Sequence, residues 1–198
     1  MVEGMEPTRA ELADVTRAMA GDHDAFAALA NANVDRMYAL ARAILRDADR
    51  AEDATQEALV RAWRQLPHLR DPARFRAWLR RLLVNACYDE GRRVRSRAEV
   101  VLLRDHDRAV ADESGNVIDR DRLDRAFHRL PLEQRVVTVL NHVEGLSHEE
   151  IAATLGLPLG TVKSRARYAL AGLRSALEAD ERVPSQQPGR LGVGGGRR

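Results

Sequence analysis

Apolar positions recur along this chain at helical spacing, and no alternating period-2 run is long enough to propose a strand. Thr8 with Glu11 three residues later has the pattern of a capping box; Leu12, Val15 and Met19 then fall on one face before Gly21 closes the segment. A second helix is predicted from Asp22, carrying Phe26, Leu29, Val34, Met37, Leu40, Ala41, Ile44 and Leu45 inward. A third runs from about Asp49 through Ala58, Leu59 and Trp63 to Leu66, where Pro67 stops it. Asp71-Pro72 offers an N-cap followed by a proline at the first helical position, opening a long helix through Phe75, Trp78, Leu79, Leu82 and Leu83 toward Gly91.

From about Ala98 to Ile118 the periodicity lapses: a brief apolar run, Val100 to Leu103, gives way to acids and then Ser114, Gly115 and Asn116, the composition of a linker. Stretched out, roughly 20 residues span at most about 70 Å, around two turns of duplex DNA at about 34 Å per turn. Helices resume over Asp119 to Leu130 and Pro131 to Val143, the latter with Val136, Val137 and Leu140 as its apolar face. The tail beyond Ala179 is rich in glycine and proline and is expected to be disordered. The expected fold is all-α: two small helical domains, residues 1–97 and 119–178, joined by a flexible linker at 98–118, with a disordered tail at 179–198.

One stretch, "LSHEEIAATLGLPLGTVKSRARYALAGLR" (146–174), holds two helix starts and a tight turn. Ser147 with Glu150 forms a capping box for a helix burying Ile151, Ala152 and Leu155, and Gly156 ends it in the left-handed conformation that glycine permits. Leu157 to Gly160 makes a corner, and Thr161 is placed to cap a second helix with Val162, Ala166, Ala169, Leu170 and Leu173 inward. This is a helix-turn-helix, and the outward face of its second helix opens with Lys163, Ser164, Arg165 and Arg167, where a recognition helix reads base edges and holds phosphates.

Charge sharpens the picture. A net charge of +2 over 198 residues is bland, but Lys163 is the only lysine, so arginine carries nearly all the positive charge. Residues 61 to 97 hold eleven arginines against three acids, Asp71, Asp89 and Glu90, a basic surface whose natural use is phosphate neutralisation. Trp78 is read as core, while Tyr88 divides evenly between packing and stacking on an unpaired base. Residues 47 to 63 have the opposite sign: Asp49, Glu52, Asp53, Gln56 and Glu57 occupy adjoining helical turns. Acids suit a first turn near the positive end of the helix dipole, which covers Glu52 and Asp53; Gln56 and Glu57 lie beyond that reach and suggest a protein-binding edge.

Other classes fall away. No stretch approaches the roughly 18 apolar residues of a membrane span, and the N-terminus lacks a basic start followed by an apolar run, so a cytoplasmic location without membrane insertion is expected. Cys87 is the only cysteine, which excludes an internal disulfide and reads as a small buried hydrophobe. His148-Glu149-Glu150 lacks the second histidine of a zinc-hydrolase motif, so no metal site, cofactor or catalytic activity is expected.

Taken together, these stretches resemble the extracytoplasmic-function sigma factors, the smallest class of sigma-70-type subunits that give bacterial RNA polymerase its promoter specificity. The resemblance covers about residues 22–97 and 119–178. "AEDATQEALVRAW" is similar to the family's region 2 helix that docks on the clamp helices of the polymerase beta-prime subunit, which implies polymerase contacts for Glu52, Asp53, Gln56, Glu57 and Trp63. "FRAWLRRLLVNACYDEGRRVRSR" resembles the part that opens and holds the minus-10 element. It implies base capture by Asn85, with Tyr88 and the loop at Leu69, Arg70 and Asp71 nearby, and phosphate contacts for Arg92 and Arg93; an amide offers both donors and acceptors to a flipped base. "LPLEQRVVTVL" and the helix-turn-helix resemble region 4, which implies minus-35 contacts for Thr161, Lys163, Ser164, Arg165, Arg167 and Tyr168. Ala166 and Tyr168 stand where the family often has leucine and arginine, and Leu69 where some relatives have an aromatic residue.

The implied partners are core RNA polymerase, through its beta-prime clamp helices and beta flap, promoter DNA both double-stranded and melted, and an anti-sigma factor. The rival reading is a stand-alone helix-turn-helix regulator, which leaves the acidic helix and the second basic module unexplained.

Overall fold

The computed structural model describes residues 8–101 and 118–181. Most of the linker and nearly all of the tail anticipated above lie outside the described residues. Within them the chain forms eight α-helices and two short 3-10 turns, with no strand.

The first half contains α1 (Arg9–Met19), α2 (His23–Leu45), α3 (Ala48–Gln65) and α4 (Phe75–Val101). Local chemistry starts each of the first three. The Thr8, Asp22 and Asp47 side chains accept the free backbone N–H groups of α1, α2 and α3. At α1 only half of the expected capping box forms: the Glu11 carboxylate instead takes a two-pronged bond from Arg76 on α4, Nε at 2.8 Å and Nη2 at 2.6 Å. Helix α3 starts at Ala48, so the dipole accounts for Asp49 alone, and Glu52 and Asp53 sit one turn too far along. Its buried face is a stripe of small residues, Ala51, Ala54, Thr55, Ala58 and Ala62, which lets α2 and α4 pack close against it. Between α3 and α4 the chain makes two 3-10 turns, Leu66–His68 and Pro72–Arg74, the second capped by Asp71. The expected α-helical start at Pro72 is therefore a tighter turn, and the α-helix proper begins at Phe75. It also continues through Gly91 to Val101 instead of ending near the glycine.

The second half comprises α5 (Ile118–Arg129), α6 (Leu132–His142), α7 (His148–Leu155) and α8 (Leu159–Glu181). Buried side chains of both halves form one connected cluster, from Val15, Ile44 and Leu83 in the first to Val137, Leu140, Ile151 and Val162 in the second. The halves therefore sit against each other, α6 and α7 packing on α2 and α4. Leu132 of α6 fills the space that a side chain at Gly91 would occupy.

Ion pairs tie the same junction. Glu144, in the turn after α6, has a side chain only 6% exposed. It accepts Arg36 of α2 through both oxygens, at 3.2 and 3.0 Å, and Arg80 of α4 at 2.9 Å.

Candidate nucleic-acid and polymerase interfaces

The helix-turn-helix forms as its caps demand. Ser147 and Glu150 exchange the reciprocal bonds of a complete capping box, and Gly156 closes α7 at φ 66°. Asn141 Nδ2 donates to the Leu146 carbonyl at 2.7 Å, fixing the turn that leads into α7. One expectation fails: α8 begins at Leu159, with the Thr161 N–H already bonded to the Pro158 carbonyl at 2.9 Å. Thr161 thus lies inside the first turn instead of capping it, and its own carbonyl accepts the Ser164 hydroxyl at 2.9 Å. A tight Pro-Leu-Gly corner starts winding before the polar residue is reached.

Along α8, Lys163, Arg167 and Tyr168 are exposed, while Ser164 and Arg165 are half-buried. The Arg167 guanidinium stands 5.2 Å from the Tyr168 ring centre, a cation–π pairing. Leu170, expected in the core, is 45% exposed. It lines a groove of about 410 Å³ between α6 and α8, floored by Val137, Ala166 and Ala171 and rimmed by Lys163, Arg167 and Arg174.

On α4, Asn85 is exposed and Trp78 half-buried beside Phe75, ring centres 6.0 Å apart. Arg70 and Asp71 are exposed; Asp71 accepts the Ala73 N–H at 3.0 Å, while Leu69 packs partly on the core. Arg92 pairs with Asp89 and Arg93 with Glu90, each one turn back on the same helix. The basic face is thus less free than its arginine count suggests. Arg76 and Arg80, read from sequence as phosphate-neutralising, are held instead by Glu11 and Glu144. Arg61 bridges Glu57 at 2.8 Å and Asp89 at 2.7 Å, and those bonds, Asp89 first, raise its already high pKa. Cys87 is fully buried, and burial pushes its thiol up to about 12, so it stays a thiol at neutral pH.

Tyr88 and Arg165, assigned to different halves and different promoter elements, lie side by side. The Tyr88 hydroxyl is buried; burial raises its pKa, and the neighbouring Arg165 guanidinium partly offsets the rise.

On α3, Glu52, Asp53 and Gln56 are exposed, with Val60 43% exposed beyond them. Gln56 Nε2 donates to Glu52 Oε1 at 3.2 Å, and the half-buried Glu57 is held by Arg61. The half-buried Trp63 packs at a tilt against His23 and Phe26, ring centres 4.5 and 5.0 Å away, so its ring braces α3 against α2. Sequence reasoning missed Arg36 and Glu144; the Glu144 partners lie 64 and 108 positions away along the chain, beyond any local signal.

Among the described residues, no group of histidine, cysteine and acidic side chains is arranged to hold a metal ion, and no helix is long and apolar enough to cross a membrane.

Two family models match the chain, sigma-70 region 2 over residues 29–97 and sigma-70 region 4 over residues 120–172. The ECF RNA polymerase sigma factor SigM of Mycobacterium tuberculosis (strain ATCC 25618 / H37Rv) is 36% identical over 159 residues, 80% of each chain. SigL of the same strain is 35% identical over 172 residues, covering 84% of this chain and 97% of the relative. Among solved structures, CnrH in complex with the cytosolic domain of CnrY aligns with a TM-score of 0.62 and 29% identity, over 86% of this chain and 99% of that one. The sigma factor RpoE in complex with the anti-sigma factor NepR, from Bartonella quintana, aligns with a TM-score of 0.59 and 28% identity, over 74% and 92%.

Proposed function

Given that this chain belongs to the extracytoplasmic-function sigma factors of the sigma-70 family and so directs promoter recognition, we propose how its surfaces divide that work. The exposed face of α3, with Glu52, Asp53, Gln56 and Val60, binds the clamp helices of core RNA polymerase. Glu57 and Trp63 shape that face from behind, through Arg61 and through the ring packing on α2. Asn85 on α4 receives a flipped base of the minus-10 element, supported by Tyr88 and the loop at Leu69, Arg70 and Asp71, while Arg92 and Arg93 exchange their intrahelical acids for phosphates. The start of α8 reads the minus-35 element: Lys163, Arg165 and Arg167 supply charge, Tyr168 offers a hydroxyl, and Thr161 and Ser164 line the approach. The observation that carries this assignment is the helix-turn-helix, with α7 capped at both ends, presenting Lys163, Arg167 and Tyr168 of α8 to solvent.

The conformation with the halves together is a resting form, because side chains that neighbour each other, as Tyr88 and Arg165 do here, cannot reach two promoter elements that lie apart on the DNA. The groove between α6 and α8, apolar on its floor and basic on its rim, suits an amphipathic acidic segment and is the proposed seat for the beta flap. An anti-sigma factor is a proposed partner as well, on the strength of the complexes formed by CnrH and RpoE. The protein works without a cofactor and in the cytoplasm, positioning DNA while the polymerase performs the chemistry.

The test is co-elution of the purified chain with bacterial core RNA polymerase in gel filtration, with a Gln56→Ala/Glu57→Ala double variant alongside. Co-elution of the wild type that the variant loses supports the assignment of α3. Tight DNA binding by the chain alone, without co-elution, would favour a stand-alone regulator.

A further inference from the structure

Helix α2 ends on Arg46, whose backbone is left-handed at φ 60°; among the described residues it is the one non-glycine with positive φ. Its guanidinium reaches the junction between the halves, where Nη2 meets Asp124 Oδ2 of α5 at 2.5 Å. Its Nε is buried and finds no acceptor. Across the junction, Arg135 of α6 is in the same condition: its Nε is buried without an acceptor, and among the described residues it makes no ion pair. Arg135 as a whole is half-buried.

The surroundings add positive charge instead of relieving it. Arg135 loses basicity first to burial and then to the cations Arg46 and Arg50. His128 of α5 is depressed by burial, then by Arg46 and Arg135, with a smaller effect from Arg42. The acids at hand are already engaged or weakly placed. Asp124 holds Arg46, Asp47 holds Arg50 at 3.2 Å, and Glu133 gives Arg135 only minor support. Unmet buried donors on charged groups are costly, and native structures seldom leave them without a partner.

We propose that this junction is a binding site for a small phosphate-class oxyanion, held between Arg46 and Arg135 with Arg42, Arg50 and His128 around it. Guanidinium forks match the oxygens of such an anion and form short, charge-assisted bonds with them. Because Arg42, Arg46 and Arg50 come from the first half and His128 and Arg135 from the second, the anion binds the closed arrangement in preference to the open one. Anion binding and closure then strengthen each other.

The experiment titrates inorganic phosphate, and separately inorganic pyrophosphate, into the full chain, with chloride adjusted to keep ionic strength constant. Binding is read by calorimetry and closure by the radius of gyration from X-ray scattering. Saturable binding with a fall in the radius is expected, pyrophosphate acting at lower concentration than phosphate. Arg135→Gln should weaken binding roughly tenfold or more, equivalent to about 1.4 kcal/mol, and Arg42→Gln should weaken it in the same direction. Arg64→Gln, on the exposed face of α3, should bind as the wild type does. Far-UV circular dichroism identifies any variant that fails to fold, and the other variant then decides. Absence of saturable binding beyond matched chloride, or wild-type affinity in a folded Arg135→Gln protein, would overturn the proposal.

Discussion

Lys163, Arg167 and Tyr168 stand in solvent on α8, whereas Arg165 leans on Tyr88 of the other half. That difference sorts the contributions of individual side chains. Arg165→Ala should weaken binding of minus-35 DNA by about 1–3 kcal/mol with loss of sequence preference if the guanidinium meets a base edge. Electrophoretic titration against promoter and scrambled duplexes measures it; an unchanged affinity and preference would remove Arg165 from the recognition surface. Asn85 is exposed and carries no core packing, so Asn85→Ala should leave folding stability within about 0.5 kcal/mol. The same change should lower permanganate-detected promoter opening far more than co-elution with polymerase. Equal losses in both would point to a damaged fold.

At the scale of single helices, caps and turns decide stability. Ser147→Ala removes the capping box of α7 and should cost about 1 kcal/mol in denaturant unfolding. The carboxylate of Glu150 is held below its ordinary range by the Ser147 backbone N–H and hydroxyl, and that of Asp22 by the Ala25 N–H and then Arg17. Both pKa values are lowered on folding. Their contribution is therefore present at neutral pH and is lost as pH falls below about 4, through the depressed folded values. The thermal midpoint should decline over that range, and less steeply in Glu150→Gln. These features were legible in the sequence because a cap is a contract between residues three positions apart: Ser147 with Glu150 and Asp22 with Ala25 needed nothing distant. The end of α4 was misplaced because Gly91 stays helical beneath Leu132, a distant partner, and the start of α8 because the local corner begins winding at Pro158 before Thr161 is reached. The alanine stripe of α3 was only partly visible, since alanine suits a helix anywhere and reveals its buried side only when α2 and α4 are in place.

For the whole molecule, the junction between the halves was the least legible part, because its ion-pair partners at Glu144 lie 64 and 108 positions away along the chain. Arg36, Arg80 and Glu144 read singly as surface charges, yet together they make a three-residue bridge in which Glu144 and Arg80 are largely buried and Arg36 stays on the surface. Glu144→Gln removes the charge that both arginines share and should cost the closed form about 1–2 kcal/mol, most of it from Arg80, since the exposed Arg36 is screened by solvent. The expected result is a larger radius of gyration and a smaller dependence of that radius on salt. A radius identical to the wild type at low and high salt would show that the Glu144 bridge does not hold the halves together.

Gly91 gives that junction an evolutionary signature. Glycine in the interior of a helix sacrifices about 1 kcal/mol relative to alanine, and α4 bears this loss in its middle, where Leu132 needs the room. A chain shaped solely for an extended working form would gain by placing alanine there. If the halves-together arrangement is the resting form proposed above, this glycine trades helix stiffness for a notch that seats Leu132, and Gly91→Ala should loosen that seat only as far as the end of the leucine side chain fails to shift aside.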